Sequence, residues 1–263
     1  MEDMASTVNT VNTVNTVVTV ATDTVTAKMN NNSEFDLVDF HSHILPRADH
    51  GSDSLDMSIA QLSLAKSAGV TRIVVTPHFY PHTHTLEKFL KRRDSSYKHL
   101  ESFLTEYMPE IRLGAEVLLC KNLHKMERIN ELCILGTSTI LIELPFSEHS
   151  EYNVEAVNGL IKSGFNVIIA HADRYDKSIV EKYISIGAKL QLNASSLTKL
   201  IKQKHLFDWI NSGFVVALGS DIHRVDKGAY KKFNKAKLKL RENISYIKDK
   251  SDAIWNISKK YSN

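Results

Sequence analysis

The chain has 263 residues, 43% of them hydrophobic and 24% charged, enough to bury one barrel-sized core or two smaller ones. A formal charge of +3 and a pI near 8.7 are too mild to point to nucleic acid. No run reaches the ~20 apolar residues of a membrane span, the acidic start Met1-Glu2-Asp3 lacks a secretory layout, and Cys120 and Cys133 form neither a CxxC nor a disulfide framework, so the cytoplasm is the expected location.

Residues 7–27 are of low complexity, with Val-Asn-Thr repeated from Val8 to Thr16 and followed by Val17-Val18-Thr19-Val20. The tract has β-propensity but almost no large side chain to bury. Residues 1–33 are therefore expected to be a disordered tail, ending in an Asn30–Ser33 linker, and residues 34–263 a single folded domain. From Phe35 onward, apolar runs alternate with longer amphipathic segments, the mark of parallel βα units. Strands are expected at Phe35–Phe40, Thr71–Thr76, Ile111–Leu119, Thr139–Leu144, Asn166–Ala170, Lys189–Asn193 and Phe214–Gly219. The spacing predicts helices at Ser54–Ala68, Leu86–Tyr107, Leu123–Leu132, Val154–Ser163, Lys177–Ile186 and Leu197–Asn211, three of them stopped by Gly69, Gly164 and Gly187. A last helix after Arg224 carries Lys231, Lys232, Lys235, Lys237, Lys239 and Arg241; such runs are mostly solvated faces, with a surface for an acidic partner as the minority reading. Seven βα units in one direction argue for an α/β fold closed or nearly closed into a barrel, with its active site at the C-terminal ends of the strands.

Those strand ends are where the metal-ligating residue types collect. In Val38-Asp39-Phe40-His41-Ser42-His43, the two histidines lie one residue apart and share one face of a strand, so their imidazoles can close on one ion. A lone His-x-His is weak evidence, but His50, His78, Glu116, Glu143, His171, Asp221 and His223 recur at or beyond the ends of apolar runs. Nine such donors exceed what one ion accepts, since Zn²⁺ takes four and Mn²⁺ prefers about six, so two or three divalent ions are expected. With only nitrogen and oxygen donors, Mn²⁺, Fe or Zn²⁺ in a catalytic role is favoured over a structural zinc site. Carboxylates can bridge such ions, and a cluster of this kind lowers the pKa of water toward ~7 and clamps the oxygens of a transferring phosphoryl group. Arg174, three residues after His171, suits bidentate phosphate binding and stabilisation of developing charge; the bland alternative is an ion pair with Asp173 or Asp176. Of the other histidines, His99, His124 and His205 fall within predicted helices and are expected at the surface. His82, His84 and His149 lie in strand-end loops, where substrate contact and a structural role are the two readings.

The motifs Asp-Phe-His-Ser-His-Ile-Leu-Pro, Ala-Asp-His-Gly, Thr-Pro-His, Gly-Ala-Glu, Leu-Ile-Glu-Leu-Pro, Ile-Ala-His-Ala-Asp-Arg-Tyr and Gly-Ser-Asp-Ile-His, in order from about Asp36 to Arg224, resemble those of the polymerase-and-histidinol-phosphatase (PHP) superfamily. Within it they are most similar to the manganese-dependent tyrosine-protein phosphatases of bacterial capsule and exopolysaccharide operons. The resemblance implies a distorted (β/α)7 TIM-like barrel, the PHP fold, around a trinuclear centre. It implies His41, His43, Glu116 and Asp221 on one ion, Glu116, Glu143 and His171 on a second, and His50, His78 and His223 on a third. Arg174 matches the family's phosphate-contacting arginine and, with Glu143 and Asp221, is expected to carry the chemistry. Two positions depart from the family pattern: Asp49-His50-Gly51 stands where Asp-Asp-Gly is usual, so His50 or Asp49 is the ligand there, and Ala172-Asp173 replaces the common Pro-Glu.

The function these readings imply is phosphomonoester hydrolysis by metal-activated hydroxide, on phosphotyrosine of a tyrosine autokinase that controls polysaccharide export. The alternatives are a small-molecule phosphatase, such as one acting on histidinol phosphate, and a non-catalytic, metal-stabilised regulatory module. Neither an open metal position nor a phosphate clamp is needed by the latter.

Overall fold

Every apolar run whose polar residues were expected at its end forms a strand in the computed structural model, which describes residues 37–146, 150–199, 204–240 and 243–257. The expected tail, the start of the first strand at Phe35 and the loop histidine His149 lie outside these residues. The strands are β1 (Asp39–Ser42), β2 (Arg72–Val75), β3 (His78–Phe79), β4 (Glu110–Leu113), β5 (Glu116–Leu118), β6 (Thr139–Glu143), β7 (Asn166–Ile169), β8 (Lys189–Asn193) and β9 (Val215–Gly219). All pair in parallel, in the order β3-β5-β6-β7-β8-β9-β1-β2-β4.

Nine strands are seven passages of chain, because two passages are broken. Pro77 has no N–H to give to a ladder and separates β2 from β3. Opposite it, Gly114-Ala115 separates β4 from β5. Val75 pairs with Leu113 before the break and His78 with Glu116 after it, so the register is unchanged. Bonds from Gly114 N to Val75 O (2.9 Å) and from Glu116 N to Pro77 O (3.1 Å) carry the ladder across. The seven passages thus pair in a ring, the distorted (β/α)7 barrel.

Around the sheet lie α1 (Leu55–Ser67), α2 (Leu86–Glu101), α3 (Glu151–Lys162), α4 (Lys177–Ser185), α5 (Ala194–Leu197), α6 (Lys204–Asn211), α7 (Lys227–Leu240) and α8 (Asn243–Ile257). Ser54 and Thr85 cap α1 and α2 by accepting the N–H groups of Met57 and Lys88. Gly69, Gly164 and Gly187 adopt the left-handed conformation that ends α1, α3 and α4 as expected. The helix predicted over Leu123–Leu132 is instead two 3₁₀ turns, Leu123–Lys125 and Ile129–Leu132, because Asn122 (φ 63°) and Arg128 (φ 58°) are left-handed and interrupt any longer run. His124 in the first turn is half-buried rather than exposed: its ring lies against α3, where a Cβ on Gly159 would come within 2.5 Å of it.

Two apolar clusters follow from strand alternation. Ile73, Val75, Val117, Ile142, Ile169 and Leu192 face the helices, against Leu62, Phe89, Val157 and Val180. Val38, Phe40, Val74, Leu141, Ile168 and Val216 face the ring interior, and Trp255 of α8 joins them from the end where the strands begin. The Arg112 guanidinium stands 4.2 Å from the centre of that indole ring, and Arg72 pairs with Asp252 at 2.7 Å. The opposite end of the ring is polar.

Candidate metal centre

Simple alternation from Val38 and Phe40, which face inward, would turn His41 and His43 outward. A slip in β1 prevents this: Asp39 pairs with Ile73 but Ser42 with Val75, so three steps of β1 oppose two of β2. The extra residue reverses the parity at the strand end. Asp39, before the slip, faces the helical layer and accepts from the Tyr230 hydroxyl of α7 (3.0 Å), while His41 and His43, after it, enter the mouth of the barrel. Gly219 at the end of β9 makes room for them, since a Cβ there would stand 2.5 Å from His41 Cβ and 2.6 Å from Gln191 Nε2.

His78 opens β3, Glu116 opens β5, Glu143 ends β6, His171 follows β7, and Asp221 and His223 follow β9, so all meet at the C-terminal ends. His171 (φ 30°) and Asp221 (φ 53°) hold left-handed backbone that costs energy in a side-chain-bearing residue and gathers at functional sites. His41 Nε2 lies 3.0 Å from His43 Nε2, 3.1 Å from Glu116 Oε2 and 3.6 Å from Asp221 Oδ1. His43 Nε2 is 3.2 Å from the same Glu116 oxygen and 3.5 Å from the same Asp221 oxygen. Donors ~2.1 Å from a tetrahedral ion are ~3.4 Å from one another, so these four atoms have the spacing of one coordination shell.

The other Glu116 oxygen, Oε1, turns away to His171 Nε2 (2.6 Å), which is 3.7 Å from Glu143 Oε1. Glu116 thus reaches two neighbouring positions with its two oxygens. His43, His78 and His223 form a further group of donors within 4.8 Å of one another, as do His78, Glu116 and Glu143. His50 is set apart: it is exposed at the rim, its ring stacked over those of His78 (4.6 Å) and His223 (4.8 Å). Asp49 is committed elsewhere, accepting from His43 Nδ1 (2.6 Å) and the N–H groups of His78 (3.0 Å) and Gly51 (2.8 Å).

The donor set fits divalent cations. His78 Nδ1 is 3.0 Å from Glu116 Oε2, yet neither ring nitrogen of His78 makes a hydrogen bond, although both are buried. Two polar atoms so close without hydrogen-bond geometry face a shared point rather than each other, and a buried polar atom left that way is costly unless something occupies it. The electrostatics agree. Burial disfavours a charged His43, but the Asp49 and Glu116 carboxylates outweigh it and push the ring up to about 10. Burial together with the Glu116 charge raises Glu143 to about 7, and burial together with His43 lowers His223 to about 4. Cations compete with protons for these sites and would hold the histidines neutral.

Two residues not singled out in the sequence, Gln191 and Asn193, hold this arrangement together with Asp49. Gln191 Oε1 accepts the His171 N–H (2.7 Å) and lies 3.1 Å from His41 Nδ1; its Nε2 donates to Asn193 Oδ1 (3.1 Å). Asn193 Nδ2 in turn donates to Asp221 Oδ2 (2.9 Å), so one amide pair ties His41, His171 and Asp221 together. Their signal was the parity of Gln-Leu-Asn: two amides on the inward face of a buried strand. Asp49 orients His43 from behind the ring. Arg174 pairs with Asp221 Oδ2, not with Asp173 or Asp176. Asp173 instead accepts from Asn193 N (2.7 Å) and from the Ser196 hydroxyl. The Arg174 side chain is 38% exposed, so it borders the open mouth as well as the cluster.

The chain matches the family model for capsular polysaccharide synthesis, CpsB/CapC, over residues 37–252. It is 32% identical to CapC of Staphylococcus aureus, over 84% of this chain and 92% of that protein. It is 28% identical to the tyrosine-protein phosphatase YwqE of Bacillus subtilis, over 72% of this chain and 78% of that protein. A solved structure from the metal-dependent tyrosine phosphatases YwqE of Bacillus subtilis and CpsB of Streptococcus pneumoniae superposes with a TM-score of 0.67 at 22% identity, covering 83% of this chain and 94% of that one. That likeness concerns the fold. The matched span contains the whole ring of strands and every donor described above, and on that match the chain belongs to the CpsB/CapC family of capsular polysaccharide synthesis.

Proposed function

We propose that this chain is a metal-dependent protein-tyrosine phosphatase, acting on the phosphotyrosine of a bacterial tyrosine autokinase that regulates capsular or exopolysaccharide synthesis. The observation that carries the reading is the four-donor nest of His41, His43, Glu116 and Asp221 with a guanidinium on its rim. In this reading the first ion is held by those four, the second by Glu116, Glu143 and His171, and the third by His78 and His223 with His50 closing from the rim. The metal is Mn²⁺, which nitrogen and carboxylate donors accommodate at higher coordination than Zn²⁺. Divalent ions there supply Lewis acidity that makes hydroxide available near neutral pH and offsets phosphoryl charge.

The chain's own residues supply the rest. Asp221 holds Arg174 beside the centre, where its free N–H groups meet phosphoryl oxygens as negative charge moves to the leaving tyrosine oxygen. Glu143, poised near 7 without a cation, joins the ligand set as a carboxylate when one is bound. Free Cys120 and Cys133 suit a cytoplasmic location, and no described helix is long and apolar enough to cross a membrane. Turnover of a phosphotyrosine peptide, p-nitrophenyl phosphate and histidinol phosphate by Mn²⁺-loaded protein tests the reading. The expected order places the phosphotyrosine peptide first; selective turnover of histidinol phosphate would replace it with a small-molecule phosphatase.

A further inference from the structure

α7 carries six lysines and not one carboxylate in fourteen residues, in a chain whose net charge is only +3, so the remainder of the chain is net negative. Tyr230, Phe233, Ala236 and Leu240 anchor the helix to the core, which leaves Lys227, Lys231, Lys232, Lys235 and Lys239 exposed. None of these five has an ion-pair partner among the described residues. Like charges at i and i+4, as in Lys227, Lys231, Lys235 and Lys239, disfavour a helix, so the pattern works against helix stability.

The position of the helix gives the pattern a use. A cavity of ≈ 310 Å³ adjoins the metal centre, lined by Arg174, Asp221 and His223 and by Arg224, Ala229 and Lys232. Among the described residues Arg224 makes an exposed ion pair with Asp53 (3.2 Å), of the kind that exchanges readily for another anion. From Lys232 the positions Lys235 and Lys239, at i+3 and i+7, continue along one stripe of the helix. Seven residues of helix span roughly 10 Å, the length of about three residues of extended peptide.

We propose that the substrate segment next to the phosphotyrosine is acidic, and that Arg224 and the Lys232, Lys235, Lys239 stripe of α7 bind its anionic groups while the phosphotyrosyl group occupies the metal centre. The proposal rests on the phosphatase reading and adds the substrate class to it. A peptide is favoured over a membrane surface because the stripe begins inside a cavity shared with the catalytic centre, which a chain can enter and a bilayer cannot.

The test uses the full chain loaded with Mn²⁺ and phosphotyrosine peptides with Asp/Glu, Gly/Ser or a second phosphotyrosine within four residues, with p-nitrophenyl phosphate alongside. At low ionic strength the anionic peptides should show kcat/KM about fivefold or more above the neutral one, expressed in KM, and the gap should close in 0.5 M salt, where the Debye length shrinks to a few Å. In Lys235→Gln/Lys239→Gln the gap should fall at least by half, with p-nitrophenyl phosphate turnover unchanged. Preference for the doubly phosphorylated peptide over Asp/Glu would identify the anion as phosphate, and the reverse order as carboxylate; either supports the proposal. Equal kcat/KM for anionic and neutral peptides would overturn it while leaving the phosphatase reading intact. No turnover of any phosphate ester would remove both. Binding to phosphatidylserine vesicles lost in the double variant, with no peptide preference, would reassign the stripe to a membrane and overturn the peptide.

Discussion

Gln191 cannot ligate through a charge or transfer a proton, yet its one carboxamide touches the backbone of His171, the ring of His41 and the side chain of Asn193. Replacing it with leucine keeps the volume and leaves the buried His171 N–H without an acceptor, at a cost of ~1–3 kcal/mol. Gln191→Leu should therefore lower metal affinity on the order of 10–100-fold, as loss of an outer-shell partner does, and a competition titration against a chelating dye reads this directly. Unchanged affinity would show that the amide serves packing only. Arg174 gives the opposite dissociation of effects. It has no lone pair for a cation, so Arg174→Ala should retain its ions by elemental analysis while losing on the order of 10²-fold in rate. Arg174→Lys should lie between, since a point charge cannot reproduce paired N–H donors. Normal rates in Arg174→Ala would reduce the residue to a partner of Asp221.

Two elements determine whether these residues meet at all. The slip in β1 turns His41 and His43 inward, and Gly219 on the neighbouring β9 gives His41 the space to stand there. A methyl group on Gly219 would meet the Cβ of His41 at 2.5 Å, well inside contact distance, so Gly219→Ala should displace the histidine. Metal content should drop with little change in overall helicity by circular dichroism; full occupancy would mean that β9 yields instead. At the other end of the ring, Trp255 of α8 is 1% exposed and fills the bottom of the interior. Trp255→Ala removes that plug and should destabilise the fold by ~3–5 kcal/mol in chemical denaturation. Its effect on metal affinity should be small, because the cluster lies at the far mouth.

The whole molecule places five buried or half-buried histidines and three carboxylates, Glu116, Glu143 and Asp221, in one mouth, a concentration of polar groups that folding alone does not favour. Ions that bind only the folded chain stabilise it by mass action, ~2.7 kcal/mol at a hundredfold excess over Kd. At this size about 2–4 °C follows from each kcal/mol, so chelation should lower Tm by roughly 5–10 °C and abolish turnover, with both restored by Mn²⁺. A chelator-treated protein that melts unchanged would separate the cluster from folding. The seven passages, their direction and the end at which polar residues collect were legible in the sequence, because alternating apolar runs and helical spacing are local patterns set by side-chain geometry. The gathering of His, Glu and Asp side chains at that end was legible too, since they recur after successive apolar runs. The tertiary structure alone decided the rest. The breaks at Pro77 and Gly114, the parity slip in β1, the turns that replaced the Leu123–Leu132 helix, the withdrawal of Asp49 behind His43 and the pairing of Arg174 with Asp221 all depend on atoms brought together from strands far apart in the chain. No local period encodes which of two neighbouring residues, such as Asp49 and His50, turns inward, because that is settled by the hydrogen bonds each finds when the ring closes.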